Sequence, residues 1–209
     1  MLVHDDIEQG GCEWHSLRLG KITGSCFNKL MGTSEARKKY LYDRANEIVT
    51  GAKSDSESFS SLHIERGHEF EEIAVMKYTV ATLNEVQKVG FVQLDEFVGC
   101  SPDGLIGDDG MIEIKVPDSN NYFRQIIELN LKGEKAISKD HYAQMQFNMY
   151  VCKRQWCDYV LYNPAHEKNN KAIFIFRVVA EELEQRHIEN TLTECVEEMK
   201  DLVSKYYAI

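Results

Sequence analysis

At 209 residues the chain is long enough for one sizeable core and short for two, so a single domain over 1–209 is expected. Its 43% hydrophobic and 28% charged content is that of a soluble globular protein; no apolar run approaches the roughly 18 residues of a membrane span, and Met1–Gly11 has no signal-peptide pattern. A net charge of −10 counts against ordinary duplex binding through Lys and Arg, and six scattered cysteines without a C-x2-C pair exclude a zinc ribbon, an iron–sulfur cluster and, in a cytosolic setting, disulfides.

In chain order, Glu13–Leu19 reads as a short helix closed by Gly20. Thr23-Gly24-Ser25 resembles a helix entry capped by Thr23 or Ser25. Exposed N–H groups, two hydroxyls and Arg18 nearby make that entry a candidate anion site. Ser34–Thr50 is a second helix, capped by Ser34 and stopped by Gly51, carrying a basic cluster of Lys38, Lys39 and Arg44. Gly51–Ser61 is a low-complexity loop. His63–Ala81 is helical with Phe70, Ile73, Ala74 and Tyr78 at core spacing and Glu71 beside that stripe. Val86–Leu94 and Phe97–Cys100 read as strands, and Tyr122–Leu131 and Lys139–Cys152 as helices. The second of these helices carries a buried stripe of Met145, Met149 and Cys152 with Gln144 next to it. Tyr159–Tyr162 and Ile173–Val179 are strands, and Glu181–Tyr206 is a long acidic helix that accounts for much of the net charge. The order gives a mixed α/β domain with a central sheet flanked by helices.

The chemistry concentrates between Phe97 and Val116. Phe97–Cys100, the turn residues Gly107-Asp108-Asp109-Gly110 and the alternating Met111–Val116 suggest a hairpin. Alternation puts Glu113 and Lys115 on one face and Ile112, Ile114 and Val116 on the other. A turn centred near Asp108 sets Asp103 opposite Glu113, whereas one centred on Asp109-Gly110 sets it opposite Val116; the pattern leaves both open. Two carboxylates able to share one or two divalent ions, with an ammonium beside them, suit phosphodiester hydrolysis: the ion activates water and neutralises phosphate, and the lysine orients the attacking water. Like charges so close are uncomfortable without a cation.

Five fragments in order resemble the lambda exonuclease family, the YqaJ-type viral recombinases of the PD-(D/E)xK nuclease superfamily. They are Trp14–Gly20 followed by Ile22–Ser25, Gly67-x3-Glu71-x2-Ala74, Ser101–Leu105, Glu113-Ile114-Lys115 and Tyr142–Gln146. The resemblance implies a restriction-endonuclease-like core with Asp103, Glu113 and the Ile114 carbonyl as metal ligands and Glu71 as an auxiliary acid at a second ion. It implies Lys115 as the residue that positions or activates water, Gln144 as its support, Arg18, Thr23 and Ser25 as a pocket for a terminal 5′-phosphate, and Ile64 as an apolar wedge at the duplex end. Two departures stand out. Gly24 occupies a position where alanine is usual, a change expected to be tolerated, and Asn121 stands where a relative carries arginine, with Arg124 as a candidate substitute.

The implied activity is a 5′→3′ exonuclease on double-stranded DNA ends, dependent on Mg²⁺ with Mn²⁺ as the alternative ion, two ions per site. It would release mononucleotides and leave 3′ overhangs for a single-strand annealing protein. A closed homotrimer is implied, with no membrane association, acting in the cytoplasm of a bacterial host as a phage- or prophage-encoded protein. The rival readings are a structure- or sequence-specific endonuclease of the same superfamily, and a non-catalytic DNA-end-binding protein.

Overall fold

The structure, a computed structural model, describes 1–32, 34–54 and 61–209, with the backbone alone for 61–69. In chain order the elements are β1 (Leu2–His4), α1 (Cys12–Arg18), α2 (Gly24–Leu30), α3 (Ser34–Thr50), α4 (Ser61–Thr82), β2 (Phe91–Gln93), β3 (Gly99–Cys100), β4 (Gly104–Ile106) and β5 (Gly110–Lys115). Then follow α5 (Ser119–Lys132), α6 (Lys139–Cys152), β6 (Trp156–Tyr162), β7 (Ile173–Val179) and α7 (Glu182–Tyr207).

A mixed four-stranded sheet, in the order β4-β5-β6-β7, forms the centre. β5 pairs antiparallel with β4 and parallel with β6, and β7 closes the far edge antiparallel. Joining parallel neighbours takes a long crossover. Here α5 and α6 supply it, each opened by a side-chain cap: Asp118 accepts from the Asn121 N–H, and Ser138 from the His141 N–H. A smaller antiparallel sheet, β1-β2-β3, lies beside the first. The sequence pattern gives no β1, and it extends β2 back to Val86. The ladder begins only at Phe91, although Gln87 makes an isolated bridge to Leu105.

Because side chains alternate along a strand, β5 serves two layers. Ile112 and Ile114 point with Val160 and Tyr162 into an apolar layer under Ala74 and Tyr78 of α4. Met111 points the other way, with Tyr159 and Leu161, into the larger core built with α2, α6 and α7. Glu113 and Lys115 share Met111's parity and so belong to the α6 side. On the α4 side, buried Asp158 takes both oxygens to Arg177 at 2.7 and 2.8 Å and accepts from Tyr78 Oη at 2.6 Å, which ties α4 to the sheet. The acidic residues of α7 sit opposite its buried stripe of Ile188, Leu192, Cys195 and Met199, which faces the rest of the fold.

Phe97–Cys100 is not the hairpin's first strand. Gly99 and Cys100 pair with β2, and the chain breaks at Ser101-Pro102-Asp103 before re-entering the central sheet as β4. Proline cannot donate to a ladder, which is why the two sheets part there. The turn after β4 is tight, with Gly107 at φ +49°, a left-handed conformation natural to glycine. Gly104 faces Ile112 and Ile106 faces Gly110, so the turn centres on Asp108. One residue back along that register, Asp103 stands opposite Glu113.

Candidate active site

Glu113 sits in the middle of β5, between two paired strands, and only 1% of it is exposed. Burying a carboxylate requires partners. Lys115, two residues on along the same face, donates from Nζ to Glu113 Oε1 at 2.6 Å. Asn148 of α6 approaches the second oxygen, Nδ2 to Oε2 at 3.5 Å. Across the hairpin, Asp103 Oδ2 accepts from the Ile114 N–H at 2.5 Å. Two strands thus bring Asp103, Glu113 and Lys115 into one cluster.

Its electrostatics follow from the crowding. Burial pushes the Asp103 carboxyl well above its ordinary value; the Glu113 charge adds to this and Glu71 adds a little more, while Lys115 and the Ile114 N–H work against it. For Lys115, burial lowers the pKa, but the Glu113 and Asp103 carboxylates outweigh it and hold the ammonium protonated above its usual range. His141 donates or accepts at Tyr159 Oη, 2.7 Å away, and is depressed to about 4 by burial first and Lys115 second, so it is a neutral imidazole beside the cluster.

Arg18 heads the second half of the site. Trp14, one turn earlier on α1, lies under its guanidinium at 4.2 Å from ring centroid to Cζ. Arg18 donates to Ser101 Oγ at 3.3 Å and to Thr23 Oγ1 at 3.5 Å, and Trp14 Nε1 donates to the same Ser101 hydroxyl at 2.8 Å. Thr23 does occupy the N-cap position of α2 but makes no side-chain cap bond; its hydroxyl is turned to Arg18 instead. Ser25 is exposed at the same helix start. A cleft of about 1340 Å³ is lined by Trp14, Arg18, Thr23, Ser25, Ser101, Glu71 and Asp103, so the arginine pocket shares its space with Asp103 and Glu71, while Glu113 lies buried behind Asp103.

The remaining residues singled out from sequence fall less centrally. Gln144 is half-buried on α6, one turn before Asn148, and makes no side-chain hydrogen bond to a described residue. Ile64 lies on α4, where its side chain is outside the described residues. Arg44, counted among the basic cluster, is buried and paired with Glu47 at 3.0 Å rather than offered to solvent. Arg124 is exposed at the start of α5 and donates to Asn121 Oδ1 at 3.0 Å, so the two positions act together. Ser101 and Asn148 were missed. Ser101 had a signal, since it adjoins Pro102-Asp103; Asn148, an amide in an apolar helix stripe, had only its polarity.

All the candidate ligands are hard oxygen donors, the set that Mg²⁺ and Mn²⁺ prefer. Among the described residues no three His, Cys, Asp or Glu side chains converge as a ready-made metal cluster. The Lys115 ammonium on Glu113 Oε1 supplies the positive charge that the two carboxylates require. The raised Asp103 pKa marks an acid that a neighbouring cation would return to its charged form, so the residues fit such an ion.

Glu113 and Lys115 on β5 with Asp103 beside them at the entry to β4, Asp103 opening into a cleft with an arginine-and-hydroxyl pocket, define the class: a nuclease. Within it, the model of YqaJ-like viral recombinase domains matches residues 13–155, and the chain belongs to that family. Among solved structures, the chain is similar to the alkaline exonuclease LHK-Exo of Laribacter hongkongensis, with 28% identity, 94% of this chain and 96% of that chain covered, and a TM-score of 0.80. The same enzyme in complex with dAMP matches at 28% identity, 93% and 95% coverage and TM-score 0.79. A phage-related exonuclease from Haemophilus somnus 129PT shares the fold at TM-score 0.68, covering 89% and 96% of the two chains at 15% identity. No curated protein matches the sequence. No described helix is long and apolar enough to cross a membrane.

Proposed function

We propose that this chain is a Mg²⁺-dependent 5′→3′ exonuclease that degrades one strand of a DNA duplex from a 5′-phosphorylated end. The observation that carries the reading is the shared cleft: Ser101, which accepts from Arg18 of a pocket suited to a terminal phosphate, lies two residues along the chain from Asp103, an acid suited to the scissile one, and both line the cleft. Arg18, Thr23, Ser25 and Ser101 bind the terminal phosphate through charge-assisted and hydroxyl hydrogen bonds. Asp103, Glu113 and the Ile114 carbonyl would hold one divalent ion, with Glu71 at a second, and Mn²⁺ could replace Mg²⁺. When bound, the ions neutralise phosphate charge and lower the pKa of water. Lys115, kept protonated by its two acids, orients the nucleophile and stabilises the developing negative charge. Gln144 supports that water from α6. Neutral His141, close enough to Lys115 to feel its charge, is available as a proton acceptor beside the cluster.

The alkaline exonuclease relatives support exonuclease over endonuclease chemistry, and the dAMP complex of LHK-Exo supports a mononucleotide product. In this reading the 3′ overhang passes to a single-strand annealing protein during phage-type recombination. A homotrimer closed around DNA is the expected assembly, with Ile64 at the splitting duplex. The test is digestion of a 5′-labelled linear duplex with and without Mg²⁺, beside a covalently closed circle. Release of labelled mononucleotide from the linear DNA only, and only with the ion, is expected. Cleavage of the circle would make the protein an endonuclease, and no cleavage of either would make it a DNA-end-binding protein.

A further inference from the structure

Asn148 is 1% exposed, yet it is polar and lies between Phe147 and Met149 in the core stripe of α6. Its amide nitrogen reaches Glu113 Oε2 at 3.5 Å. Its Oδ1 is buried with no hydrogen-bond partner among the described residues. Flipping the amide offers no escape, because two oxygens would then face each other across the Glu113 contact. The chain thus tolerates an orphan acceptor in its core, a cost justified only if the other end of the amide has a task.

The orphan oxygen faces Gly24, the first residue of α2. A Cβ built on Gly24 would stand 2.2 Å from Asn148 Oδ1, 3.1 Å from its Cγ and 3.1 Å from Phe147 Cδ1. Glycine at 24 is thus accommodated as expected, whereas the alanine usual at this position would collide with Asn148. With Phe147 in contact and solvent excluded, the amide can make room only by rotating about its own torsions. That rotation takes Nδ2 off Glu113. The absence of a side chain at 24 and the amide at 148 form one device.

We propose that Asn148 is a positioning residue for Glu113, and that Gly24 is the space that lets it act. Lys115 holds one carboxylate oxygen at 2.6 Å and Asn148 approaches the other at 3.5 Å, so the two together restrict the rotation of the Glu113 carboxylate. The proposal rests on the proposed function in taking Glu113 as an ion ligand, and it assigns Gly24 to the carboxylate rather than to the phosphate pocket that its neighbours Thr23 and Ser25 line.

Three variants test it: N148A, G24A and the double variant G24A/N148A. Mn²⁺ binding is read from the paramagnetic resonance signal of the free ion, which requires no cleavage; the Mg²⁺ dependence of duplex digestion and the ratio of rates on 5′-phosphate and 5′-hydroxyl ends are read alongside. N148A and G24A should each weaken Mn²⁺ binding by about tenfold, the scale of one hydrogen bond to a charged group. The double variant should be no weaker than the worse single one, because both act through one contact. The end-preference ratio should stay at the wild-type value. N148A introduces no collision and suits a helix interior, so it remains informative if G24A does not fold. Unchanged Mn²⁺ binding in N148A, additive losses in the double variant, or a changed end preference in G24A would each overturn the proposal. The two readings separate cleanly. A wild-type protein that cleaves nothing but shows the non-additive Mn²⁺ pattern keeps the Asn148–Gly24 device and loses the exonuclease, and an active enzyme with additive losses does the reverse.

Discussion

Replacing Asp103 with asparagine should stabilise the ion-free protein and abolish cleavage in the same stroke. The Asp103 carboxyl is raised by burial and by the charges of Glu113 and Glu71. A carboxyl whose folded pKa exceeds its unfolded one binds more protons folded than unfolded in the window between the two. Stability is therefore lost progressively as pH rises from the unfolded value toward the folded one. Asparagine keeps the size and an acceptor for the Ile114 N–H, and it turns a donor rather than a charge toward Glu113. Relief of about 1–2 kcal/mol is expected. Unfolding 209 residues carries an entropy of about 0.4 kcal/mol/K. D103N should then melt about 2–5 °C above wild type by scanning calorimetry in EDTA. Adding Mg²⁺ should raise the wild-type midpoint and leave that of D103N nearly in place. Nucleotide release should fall by about a thousandfold or more. A D103N protein that melts at or below wild type in EDTA would refute the like-charge reasoning, and one that still cleaves would remove Asp103 from the site.

K115A should be inactive and also destabilised by about 2–4 kcal/mol in urea denaturation, because it strands the buried Glu113 carboxylate. Lys115 is thus no fold-neutral surface residue, and an active, fully stable variant would refute its pairing. R18A should lose about 10–100-fold on 5′-phosphorylated duplex and little on 5′-hydroxyl duplex, since a charge-assisted contact to phosphate is removed; equal loss on both would argue against the pocket. Neutral His141 contributes stability that is present above its unfolded pKa near 6.5 and lost as pH falls toward about 4. The stability difference between wild type and H141Q should shrink by up to about 3 kcal/mol over that range, and a flat difference would show that the imidazole is not held neutral.

How much could be read from residues alone depends on whether the signal is local. α3, α6 and β7 coincide in extent with their sequence patterns because helical periodicity and β-branched runs act within a few residues, although Ser34, expected as the cap of α3, is its first helical residue. The hairpin register was narrowed to two choices, and the glycine turn at Gly107 selects the one that faces Asp103 toward Glu113. The split between the sheets was not legible, because Phe97–Cys100 has the same apolar character whichever partner it takes; β2, some eight residues upstream, won it. β1 is three residues long and exists only through its pairing with Phe91–Gln93. Asn148 and Gly24 lie far apart in sequence, and neither carries meaning until α2 and α6 touch.

The short bridge Ser101-Pro102-Asp103 has a consequence for product size. Its outer residues belong to the two halves of the cleft, and two residues of chain can separate their Cα atoms by no more than about 7 Å. Proline in the middle stiffens that span. If a strand's terminal phosphate is seated at one end and cut at the other, the enzyme carries a ruler one nucleotide long, written in its own backbone. On that reading a dinucleotide would overshoot it, and bite size would be a property of the covalent chain and not of whatever sequence the DNA presents.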